Sequence, residues 1–252
     1  MQNFINNQTV FKNNGLVYRL GSERSNVTNK HTFTFTAPGT ASSTGFDGFN
    51  SKTGFGLAAK RAFDITVASI MLLMLAPLLL LIALLIKLTS KGPVIFQQQR
   101  PGKDLQPFTM LKFRTMAASN EYEKEESLRM KNGSFCKTAN DVRITPIGRF
   151  LRKCSLDELP QLVNVLRGDM SLVGPRPILN CELETFSWAI QKRRFSVRPG
   201  LTCIWQVSGR SNTDDQKRLK YDLEYVKNWS LLLDFKLLLK TIPVVIKCQG
   251  AM

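Results

Sequence analysis

Apolar and polar positions divide this chain into three unequal stretches. Residues 1–59 are rich in Asn, Ser, Thr and Gly, as in "NNQTVFKNNG" and "TAPGTASSTGFDGFN", and their apolar residues follow neither a helical nor a strand period. A mostly disordered tail is expected there. Only "KHTFTFTAPG" alternates well enough to suggest a short strand.

The second stretch is of another kind. From Ile65 to Ile86, "ITVASIMLLMLAPLLLLIALLI", no residue carries a charge. At about 1.5 Å per residue a straight helix of this length reaches roughly 33 Å, enough to cross a bilayer. It starts too far from residue 1, and lacks the following small-residue cleavage site, to read as a signal peptide. Pro77 falls near its middle, where it removes a backbone hydrogen bond and favours a kink. Lys60 and Arg61 precede the run and Lys87 and Lys91 follow it, so the positive-inside rule draws both ends to the cytoplasm. A re-entrant helix over 60–90, broken at Pro77 and returning to the same face, satisfies both demands; a kinked spanning helix is the alternative.

Past Lys87 the pattern shortens into a mixed α/β domain, mostly helical, over 91–252. "GPVIFQQQR" and "PFTMLKFRTM" read as strands around the turn "RPGKDL". "NEYEKEESLRMKNG" reads as a charged, solvated helix or loop. "PIGRFLRK" and "PQLVNVLRG" read as helices, the second with Pro160 at its favoured first position. "SLVGPRP" is a rigid loop and "ELETFSWAIQKRRFS" a helix. In "YDLEYVKNWSLLLDFKLLLKTIPVVIK", leucines, Trp229 and Phe235 alternate with Lys227, Lys236 and Lys240, which suits an amphipathic interfacial helix or a core helix equally.

Charge narrows the function. The 252 residues hold 35 Lys+Arg against 19 Asp+Glu, a formal +16 that points to a polyanionic partner. His31 is the single histidine and sits in the polar tail, which excludes Ser-His-Asp triads and histidine metal clusters. Catalysis, if present, runs on carboxylates, Lys, Arg, Tyr or a recruited metal. The five cysteines show no CxxC spacing, so reduced thiols are expected.

Against this basic background "SLDELPQL" places Asp157 beside Glu158. Ser155 and Glu158 fit a capping box, with Asp157 favoured by the helix dipole. Pro160 would then lie inside that helix and clash with the Leu156 carbonyl. A helix starting at Pro160 instead leaves both acids at its approach, near Arg149, Arg152 and Lys153, where phosphate also binds well. "GPRP" fixes Arg176 between two prolines, a bidentate donor suited to phosphate. Lys112 and Arg114 of "KFRTM" and Arg210 of "VSGRS" add further cations. An acid pair, an uncharged membrane segment and no usable histidine together suggest phosphoryl chemistry at a membrane.

These motifs also carry a resemblance. From about Ala59 to Lys247 the chain resembles the bacterial sugar transferases, monotopic phosphoglycosyl transferases that initiate exopolysaccharide and O-antigen assembly. The resemblance rests on "KRAFDITVASIMLLMLAPLLLLIALLIKLTSKGPVIF", "QRPGKDLQPFTMLKFRTM", "DVRITPIGRFLRKCSLDELPQLVNVLRGDMSLVGPRP", "VRPGLTCIWQVSGRS" and "YDLEYVKNWSLLLDFKLLLKTIP". It implies transfer of a hexose 1-phosphate from a UDP-sugar, UDP-glucose or UDP-galactose by analogy with the exopolysaccharide members, to undecaprenyl phosphate with release of UMP. It further implies Asp157 as a covalent nucleophile, Glu158 linked to a required Mg²⁺, Arg176 on a phosphate, and Lys112 and Asp169 as polar neighbours, Asp169 counted with Glu158 among the metal candidates. The implied setting is the cytoplasmic face of a bacterial inner membrane with anionic lipids. Downstream glycosyltransferases would take the product, and a homo-oligomer is left open. Two residues depart from the pattern: Cys203 stands where glycine is usual, and Leu105 where glycine is common. A non-catalytic scaffold and a basic lipid- or nucleic-acid-binding protein are the competing readings; no RNA or helix-turn-helix pattern organises the charge, and nucleic acid is not expected as a partner.

Overall fold

The computed structural model describes the backbone of residues 10–13 and 16–19, and residues 54–117, 143–183, 185–208 and 215–247. Two units separate, Met1–Asp47 and Gly48–Met252. In the first, β1 (Val10–Asn13) and β2 (Leu16–Arg19) pair antiparallel with Val10 opposite Arg19 and Asn13 opposite Leu16. The two residues between them in sequence are Asn14 and Gly15, the dipeptide that hairpin turns favour. The alternation read at "KHTFTFTAPG" and the charged segment 120–133 lie outside the described residues.

The second unit is mixed and mostly helical, as expected. Its first element, α1 (Gly54–Thr89), is 36 residues long and contains Pro77. It starts six residues before the predicted boundary, because Gly54–Ala59 continue the helix without needing the apolar run. It is the one described helix long and apolar enough to cross a membrane. Leu73, Met74 and Leu80 around its middle are exposed, whereas Asp64 and Ala68 on one side of Pro77 and Ile82 and Ile86 on the other are buried.

β3 (Ile95–Pro101) and β4 (Pro107–Phe113) form an antiparallel pair with Ile95 opposite Phe113 and Phe96 opposite Lys112. Along β4, Phe108, Met110 and Phe113 are buried. α2 (Pro146–Lys153) is capped by Thr145, whose Oγ1 accepts from the Gly148 amide at 2.9 Å. α3 (Gln161–Arg167) starts one residue after Pro160 and ends at Gly168, φ 92°. β5 (Ser171–Val173) pairs in parallel with β6 (Gly200–Thr202). The helix expected over 182–196 is two short helices, α4 (Asn180–Leu183) and α5 (Trp188–Arg194), parted at Ser187. α6 (Ile204–Val207) and α7 (Asp215–Asn228) follow. α8 (Leu231–Ile246) begins after a break at Trp229–Ser230, with Ser230 Oγ accepting from the Leu233 amide.

One core joins Ala68 of α1, Phe108 and Met110 of β4, Leu162 and Val165 of α3, Leu172 and Val173 of β5, Tyr225 and Val226 of α7, and Leu237 of α8. A second cluster joins Ile82 and Ile86 to Phe113 and Leu151. The two halves of α1 thus pack on the same folded unit. Beneath the first half, Asp234 accepts from Lys60 Nζ (2.6 Å), the Tyr225 hydroxyl (2.8 Å) and Trp229 Nε1 (3.0 Å). The Val173 carbonyl accepts from the same Lys60 at 3.1 Å and lies 2.9 Å from the Tyr225 hydroxyl, whose single proton it shares with Asp234. Arg61 donates to the carbonyls of Val165 and Leu166, meeting the open C-terminal end of α3.

Candidate active site

The acid pair lies on a single 3₁₀ turn, Leu156–Glu158, between α2 and α3. Ser155 enters it in the left-handed conformation (φ 56°) and its side chain makes no capping bond to the turn, while its amide donates to the Arg152 carbonyl. Glu158 does not reach back to that amide, so the capping box is not formed. Its carboxylate turns instead to two cations. Lys112 Nζ donates to Oε1 at 3.0 Å. Arg176 donates Nη1 to Oε2 at 3.2 Å and Nη2 to Oε1, a fork-on-carboxylate pair.

Each cation is placed by a recognisable device. Lys112 projects from β4, and β4 is docked to α3 by Asn164, a fully buried side chain. Asn164 Oδ1 accepts from the Leu111 amide at 3.0 Å and Nδ2 donates to the Thr109 carbonyl at 2.7 Å, as a strand neighbour would. Arg176 follows β5 through Gly174 and Pro175. A Cβ on Gly200 would sit 2.0 Å from the Gly174 amide nitrogen, so the starts of "GPRP" and "GLT" touch backbone to backbone, which only glycine permits. Beyond it the Arg176 carbonyl accepts from Arg194 Nη2 at 2.6 Å, and Arg194 is paired with Asp222 at 2.8 Å. The Arg176 guanidinium also lies 5.7 Å from the centre of the Trp205 ring, whose other cation neighbour, Arg218, stands at 5.0 Å.

The two carboxylates therefore differ. Burial opposes charge on Glu158, but Arg176 and Lys112 beside it hold its carboxyl well below the usual range. Asp157 accepts no hydrogen bond from the described residues. Burial, reinforced by the neighbouring Glu158 charge, raises its carboxyl from 3.8 to about 6, against the pull of Lys112, Arg152 and Arg176. Its oxygens are left uncommitted among four groups of strong charge.

Other predicted residues lie elsewhere. Arg114 is buried and donates to the Ser90 carbonyl and hydroxyl at 2.9 and 2.8 Å, closing the end of α1; it is not brought to the acid pair. Asp169 follows α3, whereas Glu158 precedes it, and its carboxylate accepts from Asn164 at 3.1 Å. Arg210 lies outside the described residues. No group of three or more His, Cys, Asp and Glu gathers among those described. The Asp157–Glu158 pair nevertheless fits a hard, oxygen-seeking cation in donor type, with Asp157 the carboxylate whose oxygens are uncommitted. Cys203 is buried and extended (φ −151°), so its backbone makes no demand for glycine, and its Sγ donates to Gln206 Oε1. Leu105 is the contrary case: it holds φ 62°, beside Asp104 at 54°. Cys154 is disulfide-bonded, where a reduced thiol was expected.

The fold is thus a mixed α/β unit with one helix long and apolar enough to cross a membrane, carrying an acid pair of which Glu158 is held by Lys112 and Arg176 and Asp157 is not. The chain belongs to the bacterial sugar transferase family, whose model matches residues 55–248. It is 44% identical over 199 residues to the exopolysaccharide production protein ExoY of Rhizobium meliloti, covering 77% of this chain and 88% of that one. It is 46% identical over 199 residues to the undecaprenyl-phosphate galactose phosphotransferase of Salmonella typhimurium, and 43% over 196 residues to the UDP-glucose:undecaprenyl-phosphate glucose-1-phosphate transferase of Klebsiella pneumoniae. Those matches cover 76% and 75% of this chain but 41% and 40% of the two longer relatives.

Proposed function

We propose that the chain transfers a hexose 1-phosphate from a UDP-sugar to undecaprenyl phosphate, releasing UMP, as a first membrane step of exopolysaccharide assembly. The relatives' names supply the two substrates, with glucose and galactose the sugars they mention. The observation that carries the mechanism is the inequivalence of the acid pair: Glu158 is saturated by Lys112 and Arg176, and Asp157 is not. An Asp157 oxygen attacks the sugar-bearing phosphorus, the bond from that phosphorus to the bridging oxygen of UMP breaks, and UMP leaves with the electron pair. A phosphate oxygen of the lipid then attacks the same phosphorus, and the aspartyl–phosphorus bond breaks to return the carboxylate. Lys112 and Arg176 neutralise phosphate oxygens that would otherwise repel Asp157. Asp157 and Glu158 would hold Mg²⁺, which would supply further neutralisation of the diphosphate.

The domain reading is a tail over 1–59, a membrane helix over 60–90 and a cytosolic catalytic domain over 91–252 on the inner-membrane face. A re-entrant α1 is favoured because residues on both sides of Pro77 pack on one folded unit, which a bilayer cannot separate. On α8, the exposed stripe Leu232, Phe235, Leu239 and Ile242 beside Lys236 and Lys240 supports an interfacial seat. Two experiments test these readings. UDP-hexose labelled in the sugar, incubated without lipid, is expected to mark the peptide holding Asp157 with stoichiometric UMP release; sequential kinetics and no adduct would remove the covalent route. Single cysteines at Lys52 and Lys91, in a background lacking native cysteines, are expected to label only from the cytoplasm, and labelling from opposite sides would make α1 a spanning helix.

A further inference from the structure

The second half of α1 does more than anchor. Leu78, Leu81 and Leu85 repeat at three and four residues, placing them on one stripe, and that stripe faces Ile147 and Phe150 of α2 and Leu156 of the 3₁₀ turn. Between them runs a groove of about 380 Å³ in which every lining residue is apolar. Two of its large side chains, Leu81 and Phe150, are 52% and 59% exposed, unusual on a helix such as α2 whose neighbouring positions are Arg149, Arg152 and Lys153. Leu156 lines the groove, and the next residue in the chain is Asp157.

We propose that this groove seats the first isoprene units of the polyprenyl phosphate acceptor. The proposal rests on the transferase reading and adds where the lipid lies. An acceptor must bring its phosphate to Asp157 while its hydrocarbon stays out of water. The groove's lining runs from the membrane helix α1 to Leu156, the residue before Asp157, and is apolar throughout. Charge fits as well as hydrophobicity: Arg152 already acts on Asp157, and Arg149 and Lys153 share its short helix, so cations meet the phosphate where the apolar floor stops. A second protein helix seated here would cover the approach to Asp157; a single-chain phosphate lipid uses it. Phe150 is exposed because its partner is the chain of the substrate.

The test uses the full chain in nanodiscs. A polyprenyl phosphate carrying a diazirine in its second isoprene unit is expected to crosslink to peptides spanning residues 78–85 or 147–156, with competition by undecaprenyl phosphate and none by a diacyl phospholipid. Leu81→Trp fills the groove and Phe150→Ser opens its wall, both at exposed positions. Each is expected to raise KM for undecaprenyl phosphate about ten-fold, since a few buried methylenes carry that much. UMP release in the first half-reaction should stay within about two-fold of wild type. Transfer to a water-soluble phosphate monoester with no isoprene chain should be unchanged, so the preference for the prenyl acceptor disappears. Unchanged acceptor KM in both variants, crosslinks elsewhere, or labelling that a phospholipid competes away would each overturn the proposal. Wild-type protein that crosslinks in the groove yet releases no UMP from any UDP-sugar would instead overturn the transferase reading and leave the lipid seat standing.

Discussion

Replacing Asp157 by Asn should make the protein inactive and, at neutral pH, more stable. The carboxyl is raised from 3.8 to about 6, first by burial and then by Glu158. A group whose folded pKa lies above its unfolded value costs the folded state nothing below about pH 4, where it is protonated in both. The cost grows as pH rises to about 6 and is constant above. Two pKa units correspond to about 3 kcal/mol. Asp157 keeps partial contact with water, and screening brings the expected gain for the neutral isostere to about 1–2 kcal/mol. In a chain of this size that is a rise in Tm of about 3–6 °C. Thermal unfolding of wild type and Asp157→Asn in nanodiscs, followed by tryptophan fluorescence at pH 4 and pH 7.5, measures it. UMP release assayed alongside should vanish in the variant, and in wild type should fall below an apparent pKa near 6 as the nucleophile takes its proton. A variant less stable at pH 7.5, or a gain that persists at pH 4, would refute the account of Asp157 as a desolvated, uncommitted carboxylate.

Arg176→Lys keeps the charge but loses the fork on Glu158, so kcat/KM for UDP-sugar should fall about ten-fold or more, with unchanged kinetics removing Arg176 from the site. Leu105→Gly should raise stability by about 0.5–1 kcal/mol in urea unfolding, because the left-handed backbone at φ 62° costs leucine more than the extra freedom of the unfolded glycine costs. Asp234→Asn should lower stability by about 3 kcal/mol by leaving Lys60 without its closest carboxylate, and hydrogen exchange should rise first at the start of α1 and the end of β5.

How far the fold could be read depended on whether a residue's partner was near in sequence. The apolar run, the helix after Pro160 and the strand pair around residue 103 follow local rules, and each formed. The hairpin at Val10–Arg19 is equally local, with Asn14-Gly15 between its strands, but it is set in a polar stretch whose overall composition reads as disorder. Asn164 was hidden for the opposite reason. A polar residue inside "QLVNVL" looks like an interruption of an apolar face until the edge of β4, more than fifty residues earlier, is laid against it. Asp234 likewise passes for a surface acid among lysines and proves to be buried beneath Lys60, 174 residues away in sequence. Arg114 shows the converse error. Its neighbour in sequence, Lys112, reaches the acid pair, but strand alternation gives residues two apart the same face only while the strand lasts, and β4 ends at Phe113.

The same arrangement explains why two adjacent acids suit so basic a protein. Lys112 and Arg176 placed together without Glu158 would repel one another and draw any small anion into the cleft. Glu158 holds both at a fixed separation, and its own charge is sustained by them, so the three form a cluster with one positive charge in excess on rigid elements: β4, the 3₁₀ turn and the loop pinned by Gly174 against Gly200. Asp157, one residue away, then faces the edge of that cluster with no hydrogen bond to give up. Under the proposed function a diphosphate enters by competing with Glu158 for two cations whose positions are already set, which costs exchange of partners and little ordering. Moving either cation would leave the nucleophile in place and uncharged at a higher pH, because Lys112 and Arg176 are also what keep the Asp157 pKa from rising further. The second acid therefore serves the first indirectly: it gathers the positive charge that both the substrate and the nucleophile require.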